Sequence, residues 1–189
     1  MIATLKNLYE SFFRGLQCVT ENWLLGLSAR LIFSSVLFFY FMNSVMTKVG
    51  SGFPGWLIPQ NGAYAQILPT VAEQYNYNAS EIPFLPYGLI VYAGTYAEFI
   101  LPILILLGLF TRLASAGFIG FIAVMSIVDV AFHGAGAKTI GVVFDRVQDS
   151  AILDQRLLWL FPLIYLLLRG PGFISLDAIL GHFFRSEHS

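Results

Sequence analysis

Four stretches of this chain are nearly free of charge and long enough to cross a bilayer, and they limit the fold more than any other feature. Leu31 to Thr47 carries no charged residue and is bracketed by Arg30 and Lys48. Ile82 to Thr111 carries only Glu98, and Leu113 to Val128, which follows Arg112, carries none. Ile152 to Leu168 has Asp154 and Arg156 near its start and is apolar beyond them. A spanning helix takes about 20 mostly apolar residues. Backbone polar groups in lipid must be satisfied within the span. The expected fold is therefore all-α: an integral membrane four-helix bundle with spans at about 24–48, 84–110, 112–133 and 151–169. The short Gly108–Arg112 break makes the second and third spans a tight antiparallel hairpin.

Composition agrees with this and removes several function classes. Charged residues make up 11% of the chain, against about 25% in soluble domains. The formal net charge is −1, and no basic stripe is present, so nucleic-acid binding is excluded as a reading. Cys18 is the single cysteine, which excludes an intramolecular disulfide and a CxxC redox centre. Gly134, Gly136 and Gly141 do not form a phosphate-binding GxGxxG and lack the strand such a loop follows.

Before the first span, Leu5, Leu8, Phe12, Phe13, Leu16 and Val19 recur at helical spacing, which predicts an amphipathic helix over about 4–20. Lys6, Glu10 and Arg14 interrupt it, so it lacks the unbroken apolar region of a signal peptide. Its greasy face can lie along a membrane surface or pack on the protein's own core. The first outer loop, about Gly50 to Pro83, is long. "GSGFPGWLIPQNGAY" reads as turns and irregular chain, and "AYAQILPTVAEQY" as a short amphipathic helix. Trp56, Tyr64, Tyr75 and Tyr77 suit a membrane boundary. Lys6, Arg14, Arg112, Arg169 and Arg185 fall on one side, and Lys48, Lys138 and Arg146 on the other. This bias of five to three predicts that both termini are cytoplasmic.

Charges inside the spans are costly, and by default they mark function. With a rise of 1.5 Å per residue, Glu98 lies roughly 21 Å from Arg112 and Arg156 roughly 20 Å from Arg169. Equal depth predicts a Glu98–Arg156 pair. Asp129 lies roughly 25 Å from Arg112, and His133 follows at i+4, within hydrogen-bonding reach. Tyr40, Asn43, Ser44, Thr47 and Thr95 fall in the same outer half, which implies a polar cavity there. Glu98, Arg156, Asp129 and His133 are the candidate catalytic cluster. Buried ion pairs can also serve only to fix helix register, so a purely structural role stands beside the functional one. Arg30, near the inner face, is expected to snorkel to headgroups. Ala93, Ala97, Ala116 and Gly120 read as helix-packing surface. His133 is the only histidine near the cavity, His182 and His188 being at the other end, so neither bis-histidine haem ligation nor a metal site is expected. Glu98, Asp129, Asp154 and His133 alone are a weak metal signal.

Several of these features occur together in a known group. An Arg opens the first span in "SARLIFSSVLFFYFMNSVMTKV". A Glu lies in the second, ahead of a Gly-Leu-Phe-Thr-Arg turn, in "AEFILPILILLGLFTRLAS". The last span ends in "RGPGFISLDAIL". The chain thus resembles the DoxX family, in the group that includes the DoxD-like proteins, over about Leu27 to Leu180. The long first outer loop and the amphipathic N-terminus depart from that pattern. Arg30, Arg112, Gly170, Pro171, Gly172 and Asp177 match it alongside Glu98. The resemblance implies a bundle in the bacterial inner membrane and a quinone- or redox-linked membrane subunit, with a quinone as the implied cofactor. The alternative is a non-catalytic accessory, or a protein handling a small solute or metal, that binds a membrane or periplasmic partner. A homo-oligomer is compatible with both, and whether the chain is an enzyme stays open. Pro171 and Gly172 are expected to stop the fourth helix. Ser175 would then cap a short interfacial helix over about 174–185, with Asp177 at its start.

Overall fold

The computed structural model describes residues 2–186, with side chains over 4–183; His188 and the side chain of Arg185 lie outside what it describes. Among the described residues four helices are long and apolar enough to cross a membrane: Leu24–Met46, Phe84–Leu107, Thr111–Ala131 and Ala151–Arg169. We label the helices in chain order: α1 (Ile2–Thr20), α2 (Leu24–Met46), α3 (Asn61–Ile67), α4 (Pro69–Gln74), α5 (Leu89–Leu107), α6 (Thr111–Ala131), α7 (Ala137–Ile140), α8 (Leu157–Arg169) and α9 (Leu176–Ser186). Wide π-helical turns, Phe84–Gly88 and Ala151–Arg156, lead into α5 and α8.

The four spans form a ring. α2 packs on α5 and α8, and α6 packs on α5 and α8; α5 and α8 therefore face each other across a diagonal. Phe33, Phe41 and Phe118 meet at the centre with ring centroids 4.9 Å apart in tilted, edge-on pairs. Ile105, Leu163 and Leu166 close around them. This core fills one half of the bundle and leaves the half near Lys48 less densely occupied.

The first outer loop is more ordered than its Gly- and Pro-rich sequence predicts. α3 and α4 form in place of irregular chain and a single helix, with Pro69 starting α4. Ala63, Tyr64, Ala72, Ile82 and Val91 make a second small core that seats this cap on α5. Burial, and after it the neighbouring Tyr92 phenol, pushes the Tyr64 phenol above its usual range, so it stays neutral within that core. At the other end, α1 keeps its apolar face off the bundle: Leu5, Leu8, Phe12 and Val19 are each more than 60% exposed. Packing on the protein's own core is thus not what covers this face.

The turn between α5 and α6 is the most tightly specified part of the fold. α5 ends on Gly108 at φ 67°, and a Cβ there would stand 2.7 Å from both the Arg30 guanidinium and Ser175. Arg30 does not snorkel. It is buried and donates to the carbonyls of Ile105, Leu106 and Ile174 at 3.0, 2.6 and 2.5 Å. Two of those carbonyls belong to the last turn of α5, where helical donors run out; that of Ile105 also accepts from the Gly108 N–H at 3.2 Å. Asp177 lies in the first turn of α9, as expected, and also serves a second helix. Its carboxylate accepts from the backbone N–H groups of Phe110 and Thr111 at 2.6 and 2.9 Å, and so caps the start of α6. Ser175 does cap α9, its hydroxyl accepting from the Ala178 N–H at 3.2 Å. Gly170, at φ 84°, ends α8 ahead of Pro171. Gly26 packs so closely on the Pro171–Gly172 backbone that a Cβ would stand 2.5 Å from it. Arg112 stays exposed near Gly170.

This node predicts the effect of single changes. Arg30→Ala takes its donors from the carbonyls of Leu106 and Ile174, leaves that of Ile105 with the Gly108 N–H alone, and should cost ~3 kcal/mol. Arg30→Lys should recover only part of this, because one ammonium lacks the planar fork that reaches all three carbonyls. Asp177→Ala, which loses only the α6 cap, should cost about 1–2 kcal/mol. Thermal unfolding in detergent would rank the three.

Candidate functional site

The less densely packed half of the bundle holds a cavity of about 520 Å³. Glu98, Asp129, His133 and Arg156 all line it, together with Tyr40, Ser44 and Lys48. The four sequence candidates therefore share one space, but they are not partnered as depth alone predicts. Glu98 does not meet Arg156, because α5 and the start of α8 are diagonal in the ring. Its partner is Lys48, whose Nζ donates to Glu98 Oε2 at 2.8 Å and to Ser44 Oγ at 2.6 Å. Both side chains are buried, at 3% and 7% exposure. Lys48 follows the last turn of α2 and turns its stem inward, the reverse of snorkelling.

Arg156 pairs with Asp129 on the neighbouring α6 and also donates to Ser126 Oγ at 2.8 Å. Its Nε has no partner. Asp129 is the more open member, its side chain 31% exposed. His133 does not bond to Asp129, which Arg156 occupies. Its Nε2 lies 3.0 Å from the carbonyl of Gln66; a carbonyl only accepts, so this nitrogen carries the proton. Gln66 also donates through its side chain to Thr47 at 3.1 Å, and so ties the α3 cap to α2 and α6 above the cavity.

Other predicted polar groups lie elsewhere. Asp154 exchanges hydrogen bonds with Ser150, at 2.9 and 3.1 Å, in a reciprocal cap. Asn43 and Thr95 line a different hollow. Among the described residues no group of three or more His, Cys, Asp or Glu side chains gathers as a metal would need. Ala93, Ala97 and Gly120 are not packing surface. With Gly94 and Gly117 they border the cavity between α5 and α6. These helices touch where Gly117 faces Leu101, but a Cβ on Gly120 would meet nothing within 4 Å. Ile90 and Val124, at the same border, are 46% and 59% exposed, so the cavity opens sideways between two spans.

The sequence reading missed Lys48. Taken as a bracket at the end of α2, it lies roughly 27 Å from Arg30, about 6 Å beyond the depth of Glu98. A four-carbon stem can cover that difference, and Ser44, one turn earlier, was the available signal. Pro102 adds a feature of the backbone. It sits inside α5 and has no N–H to donate to the carbonyl of Glu98, four residues earlier.

The match to the DoxX family model covers residues 25–134. This chain belongs to the DoxX family. The matched stretch holds the first three spans, including Arg30, Lys48, Glu98, Arg112, Asp129 and His133, and ends before Arg156 and the "GPGFISLDAIL" segment. Neither curated proteins nor solved structures gave a match. As a DoxX protein with four apolar helices, the chain is a multi-pass membrane protein whose spans contact the bilayer.

The Lys48–Glu98 pair should behave as a unit. Lys48→Met leaves a carboxylate buried alone, and Glu98→Leu leaves a buried ammonium; each should cost about 3–5 kcal/mol. The double variant Lys48→Met/Glu98→Leu should cost clearly less than their sum. Simple additivity in a double-mutant cycle of melting would show that the two charges are not coupled.

Proposed function

We propose that this DoxX protein binds a membrane-resident, hydrogen-bond-accepting small molecule of the quinone class in the cavity, and moves protons to and from it as part of a redox-linked membrane assembly. One observation carries this reading. Two cation–carboxylate pairs, a histidine and a tyrosine line a single cavity that opens toward lipid between α5 and α6.

The lining suits a quinone head. Its walls are mostly apolar, with Phe121, Met125 and Ile67 among them. Donors stand on separate walls: Lys48 at the α2–α5 side and Arg156 at the α6–α8 side. A bound quinone would supply two-electron, two-proton chemistry. Glu98 and Asp129, each paired with a cation, are the groups that would exchange protons with it. Asp129, the more open of the two, exchanges with the outer side near His133. Electrons come from a partner redox protein.

The same reading places the protein in a bacterial inner membrane with both termini cytoplasmic. Lys48 is spent on Glu98 rather than on a loop. This removes one positive charge from the outer side and strengthens the bias of Lys6, Arg14, Arg112, Arg169 and Arg185. α1 then lies along the inner surface with its exposed apolar face in the headgroup region.

A second reading, a non-catalytic subunit that docks a partner outside the membrane, is favoured by the segment after α7. Val142, Val143, Phe144 and Val147 are all exposed there, Phe144 completely.

Gentle purification, a visible and ultraviolet spectrum, and mass spectrometry of the extracted lipids test the first reading. A quinone near one per protein is expected, and Gly120→Leu, which narrows the opening, should lower that ratio without lowering the melting temperature. Repeated preparations free of quinone, from a membrane that contains it, would leave the second reading standing.

A further inference from the structure

A second hollow, of about 340 Å³, lies on the far side of the α2–α5 seam from the cavity. Met42, Val45 and Val49 of α2 and the following turn form one wall, and Thr95 and Phe99 of α5 the other. Trp56 and Leu57, from the loop after α2, cover it. The cover is built rather than incidental. The Tyr96 hydroxyl donates to the carbonyl of Leu57 at 2.9 Å, and Gln60 N–H donates to the carbonyl of Lys48 at 2.7 Å. Gly50 N–H reaches the carbonyls of Gly55 and Ile58 at 3.0 and 3.3 Å.

The lining is apolar apart from the exposed Asn43, the Tyr96 hydroxyl already bonded to Leu57, and Thr95. Thr95 is 2% exposed, and its hydroxyl has no hydrogen-bond partner. A buried hydroxyl is ordinarily bonded, and leaving it unmade is costly. A threonine in a helix can turn its hydroxyl onto a carbonyl of the preceding turn, and Thr95 does not. None of the residues lining the hollow is charged, so it offers nothing to neutralise a carboxylate, a phosphate or an ammonium.

We propose that this hollow is a binding site, separate from the cavity, for an uncharged amphiphile: an apolar chain or ring carrying one neutral oxygen that pairs with the Thr95 hydroxyl. The oxygen is an alcohol, ketone or ester carbonyl, and it reaches Thr95 from the bilayer alongside α2. The site does not depend on the function proposed for the cavity. Glu98 is one turn from Thr95 on α5, but its carboxylate is committed to Lys48 within the seam.

The test uses the full-length protein in nanodiscs and a photoactivatable diazirine derivative of a twelve-carbon alcohol, with the matching carboxylate and trimethylammonium probes as controls. Peptide mass spectrometry should find saturable labelling of both the 42–49 and 95–99 segments by the alcohol, and not by the charged probes. Unlabelled long-chain alcohol and short-chain diacylglycerol serve as separate competitors. Suppression by the first points to a free alcohol as the source of the oxygen, and suppression by the second to a lipid ester. Thr95→Val keeps the shape and removes the hydroxyl; it should weaken competition about three- to tenfold while melting at or above the wild-type temperature. Labelling that never saturates, that the charged probes reproduce, that neither competitor suppresses, or that ignores Thr95→Val would overturn the assignment.

Discussion

The buried charges on facing helices of this chain must each find an opposite charge or a set of carbonyls, and the ring order of the four spans decides which. A lone ionised group at membrane depth costs several kcal/mol, so the helices are arranged around their pairs as much as around their apolar faces. Glu98 could match Arg156 in depth, yet α5 and α8 are diagonal, and each group is met by the helix beside it. Lys48 crosses from α2 to α5 and Asp129 from α6 to the start of α8. Each pair thus staples one side of the ring, and the space between the staples is left as the cavity.

The two ends of the bundle solve different problems. At the Arg30 end the problem is unpaired backbone. A helix hairpin as tight as Gly108–Phe110 leaves carbonyls at the end of α5 and N–H groups at the start of α6 without partners. Arg30 supplies the donors and Asp177 the acceptors, from α2 and α9 respectively. Arg30 and Asp177 act there as backbone caps, and Gly170, Pro171 and Gly172 shape the turn that brings Ile174 and Asp177 to that position. The Lys48 end keeps its polar groups as side chains around a cavity. The bundle is therefore rigid where the pattern "GLFTR…GPGFISLD" lies and open where the ionisable cluster lies.

The fold was legible because hydrophobic runs of spanning length leave little choice. The site was legible in membership but not in pairing. Helical rulers give depth along the bilayer, and depth gathers Glu98, Asp129, His133 and Arg156, which line one cavity. They say nothing of angular order around the ring, which decides contact. Lys48 and Arg30 were misread for the same reason. A long basic side chain at the end of a span can run outward to water or inward to a partner, and its sequence neighbourhood looks the same in both cases. The small residues of α5 and α6 were misread because closeness of helices and an opening between them both call for a missing side chain. Only the surroundings of Gly120, empty within 4 Å, distinguish the two.

On the proposed reading, the carboxylate of Glu98 must be both held and usable, and its surroundings offer a way to be both. Lys48 has a second partner in Ser44, so lengthening the Lys48–Glu98 contact does not leave the ammonium bare. Pro102 leaves the carbonyl of Glu98 without its helical donor, so α5 is less stiffly bonded at the level where the side chain would shift. The carbonyl of Lys48 also anchors Gln60, and through that contact the loop that covers the second hollow. A movement of Lys48 away from Glu98 therefore bears on both sides of the α2–α5 seam at once. Two spaces that share no ligand-binding side chain can in this way respond to the same ion pair.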